Sequence, residues 1–421
     1  MKRHNRAVAM VVLCLIMACA MPADAQARHD LGRSRTTIEL LNPAGFRADG
    51  VSVDKLLADV SAKSPRKSAP GPTPLMLAAS ETVADGSDVE AEVNDLFYRR
   101  GWTDGLPIVA PTRQRVEKML QGTGLDPKFV VATLDPMGGE ATVEKIAINA
   151  VMAGCKPEYM PVLMAAVEAL ADTDINLLGY ATTTSPDTTL LILSGPVIHE
   201  LGINSAGNTM GRGTQANSTI GRAVQLIVSN VGGSKPRITD LSTLGNPGEY
   251  GWVVAENMDI SPWPSINLDL DMPANASLVT VTAAEGLRGV IASYRNSDEF
   301  LHLVADHMVG LAAQRREWPV IVLVLAQDTV ARLAKDGWTK EKIRVAILQY
   351  TNDDLDALAT KEKLHDDSIL MSTAARGDHM KFQIHQFLIL VAGGTGEKSM
   401  IIPGWLGDQK AATREIQLRG Q

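Results

Sequence analysis

The stretch PVIVLVLAQ, residues 319–327, is apolar from Val320 to Ala326 without alternation. A strand with one wet face alternates apolar and polar residues, so an unbroken run of this kind belongs to a strand covered on both faces. TTLLILSGP (188–196) and QFLILVAGG (386–394) repeat the pattern, and SLVTVTAAEG (277–286) and KSMIIPGW (398–405) add two more strands. Between them lie segments with helical spacing: EATVEKIAINAVMAG (140–154), MPVLMAAVEALAD (160–172), NSTIGRAVQLIVSNVGG (217–233), SDEFLHLVADHMVGLAAQRR (297–316), DTVARLAKDG (328–337) and TKEKIRVAILQY (339–350). Strands interleaved with helices predict an α/β fold, a mostly parallel sheet with covering helices, and a helical hairpin in the N-terminal half. Gly154, Gly337 and Thr339 stand where helix ends and caps are expected. No fixed-period internal repeat is visible.

The N-terminus carries Lys2, Arg3 and Arg6, then an apolar run from Ala7 to Ala20, then Ala23, Ala25 and Ala27. This is the layout of a signal peptide over residues 1–27, and the run is shorter than the roughly 20 residues a membrane-spanning helix needs. Two processing routes fit. Ordinary cleavage suits the alanine triplets, and Ile16-Met17-Ala18-Cys19 is a loose lipoprotein box that would leave a lipid anchor at Cys19. The expected location is therefore periplasmic or secreted, with no transmembrane span in the mature chain. Ordinary cleavage removes Cys14 and Cys19 and leaves Cys155 alone, so no internal disulfide forms.

Residues 28–90 mix charge with Pro, Ser, Gly and Ala and read as a flexible tether. The body follows as an N-terminal α/β part over 91–270 and a C-terminal part over 271–421, parted at the Pro- and Asn-rich stretch 257–277. One continuous domain over 91–408 is the alternative. A net charge of -8 and 4% aromatic residues argue against a nucleic-acid partner, which calls for a basic footprint and stacking rings.

Candidate chemistry falls in three places. Along EATVEKIAINAVMAG, Lys145, Asn149, Met152 and Lys156 follow at helical spacing, with Glu144 beside them, so one narrow stripe is polar. It is either a solvated face or the wall of a cleft in which Glu144 and Lys145 act as acid and base. Cys155 follows Gly154 at the end of one helix and precedes Pro157 at the start of the next. Lone among small apolar residues it reads as packing; as a nucleophile it would depend on the amide end of the following helix.

The glycine-rich stretch LGINSAGNTMGRGTQANSTIGRA (201–223) offers Gly211, Arg212, Gly213 and Asn217 as an anion cradle ahead of a helix. Its spacing fits neither the dinucleotide fingerprint nor a nucleophile elbow. YGWVVAENMDISPWPS (250–265) supplies Glu256 as a further catalytic candidate, with Asn257 and Trp263 as ligand contacts in a long loop. LVAGGTGEKS (390–399) lacks the Gly-Lys of a phosphate loop. Neither His302 with Asp306 nor the acids and histidines at 366–385 have the spacing that zinc sites favour, so no metal is assigned. The sequence does not specify a cofactor or an oligomeric state.

RGWTDGLPIVAPT, ATVEKIAINAVMAGCKPEYMPVLMAAVEAL, STIGRA and AENMDISPWPS together resemble a bacterial family of hypothetical proteins associated with the (seleno)proteins named for a UGSC motif. The similarity runs from about residue 95 to residue 406. The UGSC motif itself is absent, so the resemblance implies no selenium or redox chemistry, and it carries over no activity. The leader and tether depart from the family pattern.

The resulting expectation is an exported small-molecule enzyme, a hydrolase or lyase acting on an anionic or carboxylate-bearing substrate. Its site would join Glu144, Lys145 and Cys155 to the glycine-rich loop and Glu256. The alternative is a non-catalytic periplasmic ligand-binding or accessory protein.

Overall fold

Successive residues of a strand point to opposite faces, so each apolar strand must find two partners. In the computed structural model, strand β5 (Thr188–Ser194) sends Leu190 and Ile192 into one apolar cluster and Leu191 and Leu193 into another. Strand β9 (Ile321–Leu325) does the same, with Val322 and Val324 on one side and Ile321, Leu323 and Leu325 on the other. Strand β10 (Phe387–Val391) splits Leu388 and Leu390 from Phe387, Ile389 and Val391. The cluster that these strands share lies between two sheets, and the two outer clusters lie under helices. The layering is thus helix, sheet, sheet, helix. The unbroken apolar runs arise because each sheet packs on the other sheet on one face and on helices on the other.

The structure describes residues 35–38, 40–44, 81–84, 88–290, 294–312, 319–360, 387–405, 407 and 409–418. The leader with Cys14 and Cys19, most of the tether, and the acid and histidine cluster at 366–385 lie outside them. Described helices of two turns or more are α1 (Val89–Arg99), α2 (Arg113–Leu120), α3 (Val143–Ala153), α4 (Met160–Leu170), α5 (Gln215–Ile227), α6 (Ser297–Ala312), α7 (Gln327–Lys335) and α8 (Lys340–Thr360). The remaining strands are β1 (Arg35–Ile38), β2 (Glu81–Ala84), β3 (Val130–Leu134), β4 (Gly139–Thr142), β6 (Val253–Ala255), β7 (Leu278–Ala284), β8 (Arg288–Val290), β11 (Ser399–Pro403) and β12 (Ala412–Glu415).

The first large sheet has the order β12-β7-β5-β6 and the second β10-β9-β11-β8. Both are mixed, which corrects the expectation of a mostly parallel sheet. Only β5 with β6 and β9 with β10 pair in parallel; the other neighbours in these sheets run antiparallel. Buried parallel strands and strands buried between a sheet and helices leave the same apolar trace, so the sequence could not separate them.

The two sheets repeat one another. In each, a central strand (β5 or β9) pairs in parallel with the strand that follows it and antiparallel with the next one, β7 or β11. The fourth place is exchanged. The strand after β7, namely β8, joins the edge of β11, and the strand after β11, namely β12, joins the edge of β7. This repeat lies in the pairing and not in the letters. Strands β7 and β12 both lie beyond residue 270 and belong to the first sheet, so that sheet draws on both parts of the chain.

Helix ends follow local chemistry. The Thr142 side chain accepts from Lys145 N to cap α3, and Gly154 closes the helix at φ 85°, a left-handed conformation that favours glycine. Pro157 opens a short 3-10 turn that leads into α4. Gly337 lies at φ 80°, and Thr339 Oγ1 accepts from Lys342 N at the start of α8.

The N-terminal stretch is not all tether. β1 and β2 form a two-stranded antiparallel sheet, and Leu40 and Leu41 are only 3% and 5% exposed, in the same cluster as Val93, Phe97 and Ile108. Burying two leucines is worth about 3–6 kcal/mol before ordering costs. An apolar pair inside a polar, proline-rich stretch is what sets this short segment apart from its neighbours.

Candidate functional site

Helix α5 does not end as an α-helix. Its last turn widens into a π-helical turn, Val228–Gly232, which closes on Gly233 at φ 86°. Such turns re-aim side chains and recur at functional sites. Two bare backbones make room for this one: a Cβ on Gly139 would lie 1.8 Å from Val231 O, and one on Gly232 would lie 2.5 Å from Asp135 O.

The turn aims Asn230 into the protein, fully buried. Its Nδ2 donates to Asn149 Oδ1 at 2.8 Å and to Trp102 O at 2.9 Å. Its Oδ1 accepts from Lys235 Nζ at 2.7 Å. Asn149 is also fully buried, and its Nδ2 donates to Lys145 O at 2.9 Å and to Pro43 O at 3.3 Å. Lys235 Nζ completes its set with Gly101 O at 2.6 Å and Ser229 Oγ at 3.1 Å. Lys145 Nζ, one helical turn before Asn149, donates to Asn42 O at 2.5 Å. The result is a bonded line of amide, amide and amine across α3, the π turn and the Gly101–Trp102 backbone, with the Lys145 amine one helical turn from its outer end.

That backbone is held in place from two sides. Arg222 grips Asp104 with two bonds, at 2.7 and 2.9 Å, and reaches Pro107 O at 2.9 Å. Trp102 N donates to Phe97 O, and the two rings meet edge to face with centroids 5.2 Å apart.

Among the described residues, no carboxylate lies within ion-pair distance of either lysine. Burial pushes both ammonium groups down to about 8; for Lys145 the nearby Glu144 charge opposes this only in part. Lys145 also sits in the first turn of α3, where the positive end of the helix dipole disfavours a cation. Lys235 donates to three neutral acceptors, whereas Lys145 donates to one, so Lys145 is the amine whose lone pair is more readily freed. A neutral buried amine can attack a carbonyl carbon or take a proton, and a retained ammonium can hold a carboxylate.

The expected single site is divided. Glu144 and Cys155 lie at opposite ends of α3, about 16 Å apart along a helix of this length. The Cys155 thiol donates to Thr219 O at 3.2 Å, and burial pushes it up to about 12, against weaker opposing effects of Thr219 and Arg222. It is a half-buried thiol packed against the first outer core, an environment that speaks against a nucleophile.

Asn217 holds the glycine-rich loop together. Its Oδ1 accepts from Asn204 N, and its Nδ2 donates to Asn204 O and Thr209 O, so its amide is spent on holding the glycine-rich loop. Gly211, Arg212 and Asn217 line a shallow cleft of about 220 Å³ with Tyr250 and Val253. Arg212 is exposed there, and Gly213 adopts φ 116° beside it. Thirteen residues of helix separate Asn217 from Asn230, about 20 Å, so this cleft and the amine line lie at opposite ends of α5.

Glu256, at the end of β6, has a structural place. Ser265 Oγ donates to it at 2.6 Å and Ile266 N at 2.8 Å, and Lys340 Nζ stands 3.7 Å away. Burial pushes its carboxyl up, against the pull of Lys340 and these hydrogen bonds. Lys340 is also 3.3 Å from Asp269, which Arg344 grips at 2.7 Å. This buried charge cluster joins the first sheet to α8. Asn257 N donates to Val391 O at 2.7 Å, while its Oδ1 is buried without a hydrogen bond among the described residues. Trp263 is packed in the second outer core, with Nε1 donating to Trp338 O at 3.0 Å.

Sequence reasoning found Lys145 and Asn149 through their helical spacing and missed Asn230, Lys235 and the Gly101–Trp102 carbonyls. One signal was present: Asn230 is a lone amide, beside Ser229, between Val228 and Val231 at a mostly apolar helix end. Among the described residues, no group of three His, Cys, Asp or Glu side chains is placed to hold a metal ion, and no helix is long and apolar enough to cross a membrane. No protein-family model matches the chain, and no curated protein matches it significantly.

Proposed function

We propose that the chain is a small-molecule enzyme, a lyase in preference to a hydrolase, whose substrate carries both a carbonyl group and a carboxylate. The observation that carries this reading is a pair of half-buried lysine amines with lowered proton affinity, Lys235 bonded through Asn230 to Asn149 and Lys145 one helical turn before Asn149, with no carboxylate at ion-pair distance among the described residues. Lys145 is the nucleophile or base. Its amine adds to a substrate carbonyl and releases water, giving an imine that withdraws electrons from the adjacent bond. Lys235 keeps its proton, fixes Asn230 and supplies the positive field that favours a carboxylate. Asn149 offers a substrate oxygen the amide hydrogen that otherwise meets Pro43 O. With the Cys155 thiol packed and pushed up to about 12, a thiol hydrolase is not part of the proposal. We propose export for the whole chain on the strength of its leader.

The test is a borohydride trap. The full chain is incubated with a panel of 2-oxo acids and small aldehydes and then reduced, and the masses of lysine-bearing peptides are read. A reduced adduct on Lys145, lost in Lys145→Gln and kept in Cys155→Ser, supports the reading. No adduct on Lys145 with any member of the panel ends it.

A second reading, a non-catalytic ligand-binding or accessory protein, rests on the 220 Å³ cleft at the glycine-rich loop, where Arg212 is exposed. It predicts thermal stabilisation by small anions that disappears in Arg212→Ala, with no turnover.

A further inference from the structure

The outermost hydrogen-bond acceptors of the amine line do not come from the helices that build it. Lys145 Nζ donates to Asn42 O, 103 residues away in the chain, and Asn149 Nδ2 donates to Pro43 O, 106 residues away. Both acceptors are main-chain carbonyls of one short segment, Leu40–Ala44, laid across the N-terminal half of α3. Any ligand oxygen can make the same two bonds, whether it belongs to a carbonyl or to a carboxylate.

The segment is held by apolar anchors and few polar bonds. Leu40 and Leu41 are buried in the first outer core; Leu41 N donates to Pro111 O at 3.1 Å, and Leu40 forms a single bridge with Thr112. Ala44 N donates to Asn42 Oδ1, which turns the chain back on itself where its carbonyls meet Lys145 and Asn149. Asn230 and Lys235 take no bond from this segment; their partners are Asn149, Trp102, Gly101, Ser229 and each other. The inner half of the line is therefore complete without the segment, and the outer half is complete only with it.

We propose that Leu40–Ala44 is a displaceable internal occupant of the Lys145–Asn149 site, and that carbonyl or carboxylate oxygens of a ligand take the places of the Asn42 and Pro43 oxygens when it leaves. This rests on the proposed function for the identity of the ligand, but not for the release of the segment. Release uncovers Lys145 and leaves Lys235 as it was. A ligand bound at Lys145 and a docked segment exclude one another, so ligand affinity depends on how often the segment is out.

Two measurements on the full chain test it. In the first, lysines are reductively methylated with limiting formaldehyde and cyanoborohydride, and the extent at Lys145 is read against Lys235 in the natural chain and in Leu41→Asp. A rise of about tenfold or more at Lys145 with Lys235 unchanged is expected. Equal rates at Lys145, or a common rise at both lysines, would overturn the proposal. The second needs no variant. Hydrogen exchange in the natural chain should be about 100-fold faster at the Leu41 amide than at the Asn149 amide within α3; equal protection means that the segment leaves only on global unfolding, and the proposal falls.

The borohydride trap separates the two ideas. An open segment with no carbonyl adduct on Lys145 removes the lyase reading and leaves the occupant. An adduct that forms as fast in the natural chain as in Leu41→Asp removes the occupant and leaves the lyase.

Discussion

Asn230 Nδ2 donates to Asn149 Oδ1 at 2.8 Å, a bond that spans 81 residues of chain and ties the π turn to the middle of α3. Neither amide has a free polar atom, and each passes its neighbour's bond on to a lysine or to a main-chain carbonyl. Removing one member therefore strands several groups at once.

Asn230→Ala takes the donor from Asn149 Oδ1 and Trp102 O and one acceptor from Lys235. The loss of stability should be about 1–3 kcal/mol, read as a lower urea midpoint at unchanged slope. Asn230→Asp should lose the same donors yet raise the proton affinity of Lys235, because a carboxylate replaces a carbonyl beside it. The midpoint of Lys235 methylation against pH should then move upward.

Stability should rise with pH in the alkaline range. Each of Lys145 and Lys235 binds its proton more weakly folded, at about 8, than at its ordinary 10.5, so between these values the unfolded chain holds more protons. The penalty is full below about pH 8 and relieved as pH climbs toward 10.5, by at most about 3 kcal/mol per lysine. Lys145→Met should flatten that rise in a denaturation series from pH 7 to 10, and an unchanged slope would contradict the burial of its charge.

Cys155 should be inert. A thiol held up to about 12 is about a thousandfold less ionised at pH 8 than a free cysteine, so iodoacetamide should label the native chain slower by a similar factor. Cys155→Ser should keep the Lys145 adduct.

Glu256, Lys340, Asp269 and Arg344 should behave as one unit. Lys340→Met leaves the buried Glu256 carboxylate without its cation and should cost about 3–5 kcal/mol, whereas the double substitution Glu256→Gln and Lys340→Met should recover at least about 1 kcal/mol of that loss. Strict additivity in the cycle would show that the pair does not interact.

Shortening the chain before Gln409 should open its N-terminal half. That end supplies β12 to the edge of β7, Lys410 N to Asp174 O at 2.7 Å, and Arg414 to Asp172 at 2.8 Å. Proteolysis of the shortened chain should begin near residues 172–176, and cleavage confined to the C-terminal half would count against the exchanged edge.

The local parts of this structure were legible and the long-range parts were not. Thr142 and Gly154 bound α3 as their chemistry demands, and Lys145 and Asn149 fall on one stripe because a helix repeats every 3.6 residues. Asn230 and Lys235 join that stripe only through a π turn and two glycine contacts whose partners are distant in sequence. Leu40 and Leu41 sit among prolines and charges, where composition speaks for a tether and two leucines are too few to show a period. The apolar strands announced two covered faces but not what covered them, so a second sheet passed for a layer of helices.

The exchange of β8 and β12 also sets an order of events in time. Strand β8 is made before any of its neighbours in the second sheet exist, and it must wait for β11. Strand β7 likewise waits for its outer neighbour, because Glu415, the register partner of its Leu278, is made 137 residues later. Neither sheet can close early, and the first becomes whole only after the second has been made.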